Sequence, residues 1–420
     1  MAVRVFGARL RQARVLRGVS GVALSAQIEV SPSRVSRLEQ SDLVSLRDTE
    51  FEKLRVALRF PAEFFLERPL SMVSSADLAF RAQKGTSSRE KEYLAAFAEL
   101  AGDFIESLDS RYGLPPLRLP IVRTHETNSE PTSMAEYAGR LVREAVSLDA
   151  DTPIHHLTHR VERYLGVPVV VQAGRLRREH GFSGEPPTDS SRVRHTAYSA
   201  RTGEFGERPI VVTRAEQSWE RMRFSVAHEI GHLVMHADVA RGRMADQLEE
   251  EANAFACELI APISTLRRSL RGDITLHDLV ALKRRWGLSI GALIKHLARG
   301  GAYSAQRERA LQKQLHARIN PVTGKSWGRT EPGFDDHQPE RPRMLLRWTE
   351  RVFSTTDTRA IASQQRIWPR DILDEFLAEQ RSSSFAARGK TSDVNADSGG
   401  ALSLAPVVDF DEARKRKQSG

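Results

Sequence analysis

Residues 223–236 read RFSVAHEIGHLVMH, and residues 248–262 read LEEEANAFACELIAP. These two stretches decide how the larger part of the chain folds. Within the first, His228-Glu229-Ile230-Gly231-His232 puts two imidazoles at positions i and i+4. On a helix those positions share one face, with Cβ atoms about 5–6 Å apart. Two imidazoles at that spacing can hold one Zn²⁺, and Glu229 between them can take a proton from a water activated by the metal. Phe224, Ala227, Leu233 and Val234 offer the helix apolar packing surface. Gly231 leaves room for a second helix or a substrate to come close.

The second stretch can supply the third ligand. Glu249 and Asn253 are i, i+4 partners on one face, while Phe255, Leu259 and Ile260 turn toward a core. The expected ligand is Glu249, with Glu250 and Glu251 as alternatives. An acidic helix N-terminus is also favoured by the helix dipole alone, with no metal. His236 lies two turns beyond His228, near the same face. It either supports the site, contacts substrate or is structural, and Asn253 is grouped with it. His155, His156, His159 and His180 show no metal spacing and read as surface or loop residues. Cys257 is the sole cysteine, which excludes a disulfide framework or a Cys-only zinc site within the chain.

Upstream, strands are expected at Val167–Gln172, Thr196–Ser199 and Ile210–Thr213, the last two flanking a turn at Thr202-Gly203. Helices follow from about Glu220. Residues 304–379 read as an irregular, basic helical region. Lys325–Arg329 and Pro342–Phe353 are taken as helical, with Trp348 as an anchor. Beyond Arg381 the composition is that of a disordered basic tail ending in an RKRK run at 414–417. Further upstream, Tyr93, Phe97, Leu100 and Phe104 recur at helical spacing over Ser87–Asp109. Pro115–Ser133 reads as a linker.

The N-terminal stretch Phe6–Leu66 reads as five short helices. Leu10, Ala13 and Leu16 form the buried face of the first, and Val22, Leu24 and Ile28 that of the second. A tight turn at Glu29-Val30 precedes Ser31-Pro32, where Ser as N-cap and Pro at N1 open a third helix. Val35 and Leu38 point inward there, leaving Ser33, Arg34, Ser36 and Arg37 outward, as in a helix-turn-helix. Residues 1–37 hold seven arginines and one acid, a local net of +6 within a whole-chain net of +9 over 420 residues. This excess is assigned to a DNA side, where neutralised phosphates supply affinity. Arg34 and Arg37 are placed to reach guanine edges, and Ser31 and Ser33 to bind phosphate or bases. A plain helical bundle with a basic solvated face has the same spacing.

The wording RLRQARVLRGVS, LSAQIEVSPSRVSRLEQ and FEKLRVALRFPAEFFL resembles the Xre/Cro-like helix-turn-helix repressor family over about 60 residues. Two departures stand out. Gly21 replaces the Gln that usually opens the second helix, and Glu29 replaces the Gly of the turn. The pair RFSVAHEIGHLVMH and EEEANAFACELIAP resembles the ImmA/IrrE metallopeptidase family. LTHRVERYLGVPVVVQ, HGFSGE and RPIVVT resemble its lead-in, LVALKRRWGLSIGALIKHLARGG its helical extension, and FRAQKGTSSREKEYLAAFAEL the spacer of regulators that fuse the two domains. This resemblance implies zinc on His228, His232 and Glu249, with Glu229 as general base. It also implies a strand beside the cleft, for which Ile210–Thr213 is the counterpart.

The expected fold is α+β, mostly α: a five-helix lambda-repressor-like domain, then a zincin-like domain with a small sheet and a helical extension. The expected divisions are 1–70 (DNA-binding), 71–133 (helical spacer and linker), 134–300 (peptidase-like), 301–380 (helical extension) and 381–420 (tail). The expected function is a DNA-binding regulator with a zinc-dependent peptidase that cleaves a repressor-type protein or itself, controlling stress, phage or mobile-element genes. The alternative is a non-catalytic regulator whose peptidase-like domain senses a metal or ligand or mediates dimerisation. Expected partners are a double-stranded DNA operator, read as a homodimer, and a protein substrate. No apolar run is long enough to span a bilayer, and the basic N-terminus lacks a secretory signal's apolar core, so a cytoplasmic setting without membrane is expected.

Overall fold

The chain opens on a strand that the expected five-helix module does not include. In the computed structural model, β1 (Ala2–Phe6) pairs antiparallel with β2 (Leu43–Arg47), Arg4 opposite Ser45. Five helices complete the N-terminal module: α1 (Gly7–Leu16), α2 (Gly21–Gln27), α3 (Pro32–Gln40), α4 (Asp48–Leu58) and α5 (Ala62–Leu66). Residues 2–73, 87–122, 131–172, 174, 197–215, 218–237, 245–270 and 272–377 are described. The expected tail with its RKRK run, and His180, lie outside them.

Local chemistry accounts for the turn of the helix-turn-helix. Ser20 caps α2 and Ser31 caps α3, each side chain accepting a backbone N–H, with Pro32 at N1. Between them Glu29 adopts φ +58°, the left-handed conformation that favours glycine, and its carboxylate takes a 2.5 Å ion pair from Lys53. Gly7 opens α1 where a Cβ would lie 2.2 Å from the Leu38 carbonyl oxygen, so only glycine lets α1 abut the end of α3. Leu10, Ala13, Leu16, Leu24 and Ile28 are buried as expected. Val22 is not: it is 66 % exposed, because the short α2 turns its first residues to solvent.

The stretch read as a spacer is a central helix. α6 (Ser88–Tyr112) is buried on every side over its middle, Glu99 and Asp103 included. A helix apolar almost all round needs neighbours all round. α6 packs on α1, on the sheet and on the C-terminal helices. The apolar cores therefore cross the boundaries drawn from composition.

Next come α7 (Pro131–Ala145), the single turn α8 (Leu157–Arg160) with a π-turn over Val161–Leu165, and β3 (Val169–Gln172). β4 (Ala197–Thr202) and β5 (Arg208–Arg214) form a hairpin whose turn uses Gly203 and Gly206 at positive φ. The sheet order is β3-β5-β4, with β3 parallel and β4 antiparallel to β5. Ile210–Thr213 is thus central in the sheet and paired on both edges.

The two faces of this sheet feed two different cores. Val170, Tyr198, Ala200, Ile210 and Val212 join α6, the N-terminal module and the C-terminal helices. Val169, Val171 and Val211 join the helices that follow. These are α9 (Trp219–Met235), α10 (Ala245–Ile260), α11 (Ile263–Ser269), α12 (Leu276–Trp286), α13 (Ile290–Arg299) and α14 (Ala305–Ala317). Alternation along a strand sends neighbouring side chains to opposite faces, which gives this division.

Lys325–Arg329 is not helical. It forms turns closed by a bridge between Ile319 and Ser326, because Pro321, Gly324 at φ +66° and the Asn320 side chain organise a loop. α15 (Met344–Phe353) and α16 (Thr358–Gln365) follow, then helical residues 370–377. Trp348 does anchor: its indole N–H donates 2.9 Å to the Gly113 carbonyl. The whole is α+β and mostly α. No described helix is long and apolar enough to cross a membrane.

Candidate metal centre and DNA face

α9 carries the H-E-x-x-H residues and α10 runs beside it. A Cβ on Gly231 would fall 2.8 Å from Phe255 Cδ1 of α10, so glycine here admits the second helix. The close approach brings Glu249 between the imidazoles. Glu249 Oε2 lies 3.4 Å from His228 Nε2, Glu249 Oε1 lies 3.2 Å from His232 Nε2, and the two Nε2 atoms are 3.1 Å apart. Among the described residues, these three offer ligand atoms within 4.8 Å of one another. His232 is buried, while Glu249 is 30 % exposed, so the cluster opens to solvent on the Glu249 side.

The alternatives to Glu249 point elsewhere. Glu250 is exposed, and Glu251 is buried with Oε2 2.9 Å from His236 Nε2. His236 in turn sets Nδ1 3.0 Å from His232 Nδ1. Asn253, one turn after Glu249, holds Oδ1 3.1 Å from His228 Nδ1. Burial opposes charge on Glu249, but the hydrogen bonds from His228 and His232 hold its carboxyl well below the usual range. Burial likewise opposes a charged His228, yet Glu249 and the Glu229 carboxylate raise its pKa. Glu229 itself is buried, and among the described residues its Oε2 has no hydrogen-bond partner. A buried carboxylate oxygen left unpaired costs about 1–3 kcal/mol or more, which marks a position built for something else. Cys257 is buried in α10, its thiol pushed up to about 12 by burial, and is inert packing.

The DNA face differs from the sequence reading in which arginines it offers. Arg9 is buried against Asp103 of α6 at 2.7 Å, and Arg11 pairs with Glu99 at 3.1 Å. Arg14 bonds Glu39 bidentately, and Arg17 bonds Asp371 and the Leu58 and Arg59 carbonyls while lying over Phe60. Arg34 donates to Glu50, a carboxylate that Arg47 also shares. The N-terminal positive charge is therefore mostly spent on internal ion pairs, which charge counting along a sequence cannot see. Ser31 is used as a cap, while Ser33, Ser36 and Arg37 of α3 are exposed. Arg4 and Arg47 on the outer face of the β1–β2 ribbon are exposed too. The alternation AVRVF and LVSLR was the signal for this ribbon.

A small helical module with an exposed recognition helix, joined to a helix pair with convergent His, His and Glu, defines a DNA-binding regulator with a peptidase-like domain. Family comparison agrees on both parts. Residues 5–63 match a helix-turn-helix domain, and residues 185–298 match an IrrE N-terminal-like domain. The chain fuses the two. No curated protein matches it as a relative.

Proposed function

We propose that this regulator hydrolyses a peptide bond at the His228–His232–Glu249 centre, in a repressor-type protein or in the chain itself, to control stress, phage or mobile-element genes. The unpaired, buried Oε2 of Glu229, next in sequence to His228 of the three-residue cluster, carries the reading. Two imidazoles and one carboxylate are a donor set that suits zinc, with one position left for water or substrate. Zinc, when bound there, supplies Lewis acidity toward a carbonyl oxygen and makes water easier to deprotonate.

The remaining chemistry belongs to the chain. Glu229 takes the proton of the attacking water and delivers it to the departing amine nitrogen. Its burial keeps that carboxylate from being solvated between the two transfers. The helix α9 fixes it one residue from His228, and the opening beside Glu249 admits an extended peptide. The N-terminal module reads a double-stranded operator through α3, two copies matching two half-sites. Glu229→Gln separates binding from chemistry: it should retain zinc and lose cleavage of a co-incubated repressor. Unchanged cleavage in that variant would sink the proposal.

A second reading, a metal or ligand sensor without turnover, draws support from the continuous core between the N-terminal module and the sheet. Operator affinity that shifts on zinc addition equally in the native chain and in Glu229→Gln would favour it.

A further inference from the structure

The structure assigns Glu251 and His236 to a two-link hydrogen-bond relay that positions His232 and raises its strength as a zinc ligand. This rests on the zinc reading of the site. Nε2 of His232 faces Nε2 of His228 and the Glu249 carboxylate, so Nε2 is the atom offered to the metal. A neutral imidazole that ligates through Nε2 carries its proton on Nδ1. That Nδ1–H has one acceptor at 3.0 Å, Nδ1 of His236. His236 accepts there only as the tautomer protonated on Nε2. Its Nε2–H then donates 2.9 Å to Glu251 Oε2, whose other oxygen accepts from Gln247 at 3.3 Å. The hydrogen bonds run in one direction, from His232 through His236 to the Glu251 carboxylate.

His232, His236 and Glu251 have side chains only 3–4 % exposed. In so dry a setting, a carboxylate two hydrogen bonds away polarises the ligand strongly. The partner ligand is held differently. His228 donates Nδ1–H to the neutral Asn253 amide oxygen at 3.1 Å, on the more open side of the site. The two zinc histidines are therefore unequal: one leans on an amide, the other on an anion. Outer-sphere partners of this kind change metal affinity by about 10–100-fold. Glu251 and His236 act through His232 and are positioning residues.

The test uses the full chain with zinc alone, competed against a chromophoric chelator, for the native protein, Glu251→Gln, His236→Phe and the double variant. Glu251→Gln keeps shape and an acceptor oxygen but removes the charge. Zinc affinity should fall about ten-fold or more in each single variant. The double variant should be no weaker than His236→Phe, because a relay broken once is broken. Co²⁺ bound in place of zinc should show a shifted visible band in Glu251→Gln, a change that loss of packing alone does not predict. The metal-free unfolding midpoint of Glu251→Gln should stay near native, which keeps the result readable if His236→Phe folds poorly. Native zinc affinity in both single variants, or losses that add in the double variant, would overturn the relay while leaving the metal centre standing. A native chain that takes up no zinc would remove both.

Discussion

The Arg17 guanidinium at the end of α1 and the Asp371 carboxylate of the last described helix form an ion pair across 354 positions of sequence. Arg17 is buried and also donates to the Leu58 and Arg59 carbonyls. The first and last helical segments are thus locked together, and the N-terminal module is part of the frame. Arg17→Ala should cost about 2–4 kcal/mol, because it removes several buried hydrogen bonds at once. Asp371→Asn should cost about 1–2 kcal/mol. Denaturant titration should show both changes as a lower midpoint of one shared transition; a separate early transition of the N-terminal module would contradict the lock.

Gly231→Ala should loosen the α9–α10 contact. Its methyl would meet Phe255 at 2.8 Å, and a ring packed on all sides has little room to yield. The expected loss is about 1–3 kcal/mol. Zinc affinity should drop as well, since α10 carries Glu249. Native stability by calorimetry together with native zinc affinity would refute the contact's role.

Metal removal should be visible in stability. A ligand bound only by the folded state adds about 2.7 kcal/mol at 100 times its dissociation constant. Chelation should therefore lower the unfolding midpoint of the native chain and leave His228→Ala unmoved. An equal response to zinc in both proteins would place the metal elsewhere.

Stability should fall between pH 6.5 and 8. Burial pushes Glu258 up to about 8 and Glu162 up to about 8, well above an unfolded carboxyl near 4.3. Groups raised in the folded state hold it most firmly below their unfolded pKa and release it as pH climbs through the folded one. His296, 3.5 Å from Glu258, acts oppositely: burial depresses it to about 4, so its contribution vanishes as pH drops from about 6.5 toward 4. Above pH 6.5 the two carboxyls dominate, each giving a slope of about 1.4 kcal/mol per pH unit. Glu258→Gln should roughly halve that slope in urea titrations; an unchanged slope would show that Glu258 ionises freely.

Arg37→Ala should weaken operator binding, reducing its salt dependence by about one phosphate contact without lowering stability. Arg34→Ala should instead release Glu50, which already shares Arg47, and change stability as well as binding. Binding isotherms across a salt series separate the two.

What could be read from the sequence were the patterns with a fixed local period. Ser31-Pro32, the left-handed Glu29, the spacing of His228 and His232 and the Glu249–Asn253 step all follow from helix geometry within a few residues. What could not be read were pairings between distant segments. Nothing near Arg9 or Arg17 announces that their partners are Asp103 and Asp371, so their charge seemed available to DNA. The same holds for Glu251: it lies two residues from the ligand candidate Glu249, yet it faces His236 because two helical steps turn the side chain by about 200°. Ile210–Thr213 was readable as a strand, but its central place depends on β3, some forty residues upstream.

The three-stranded sheet works as a partition wall with both sides occupied. A fragment holding only the metal-centre half would bare Val170, Tyr198, Ile210 and Val212, and a fragment holding only the N-terminal half would lose its backing. Recombination that exchanged one half for another would have to import a matching surface as well. The two halves of this chain are consequently tied together: neither can be exchanged by simple shuffling without remaking the wall between them.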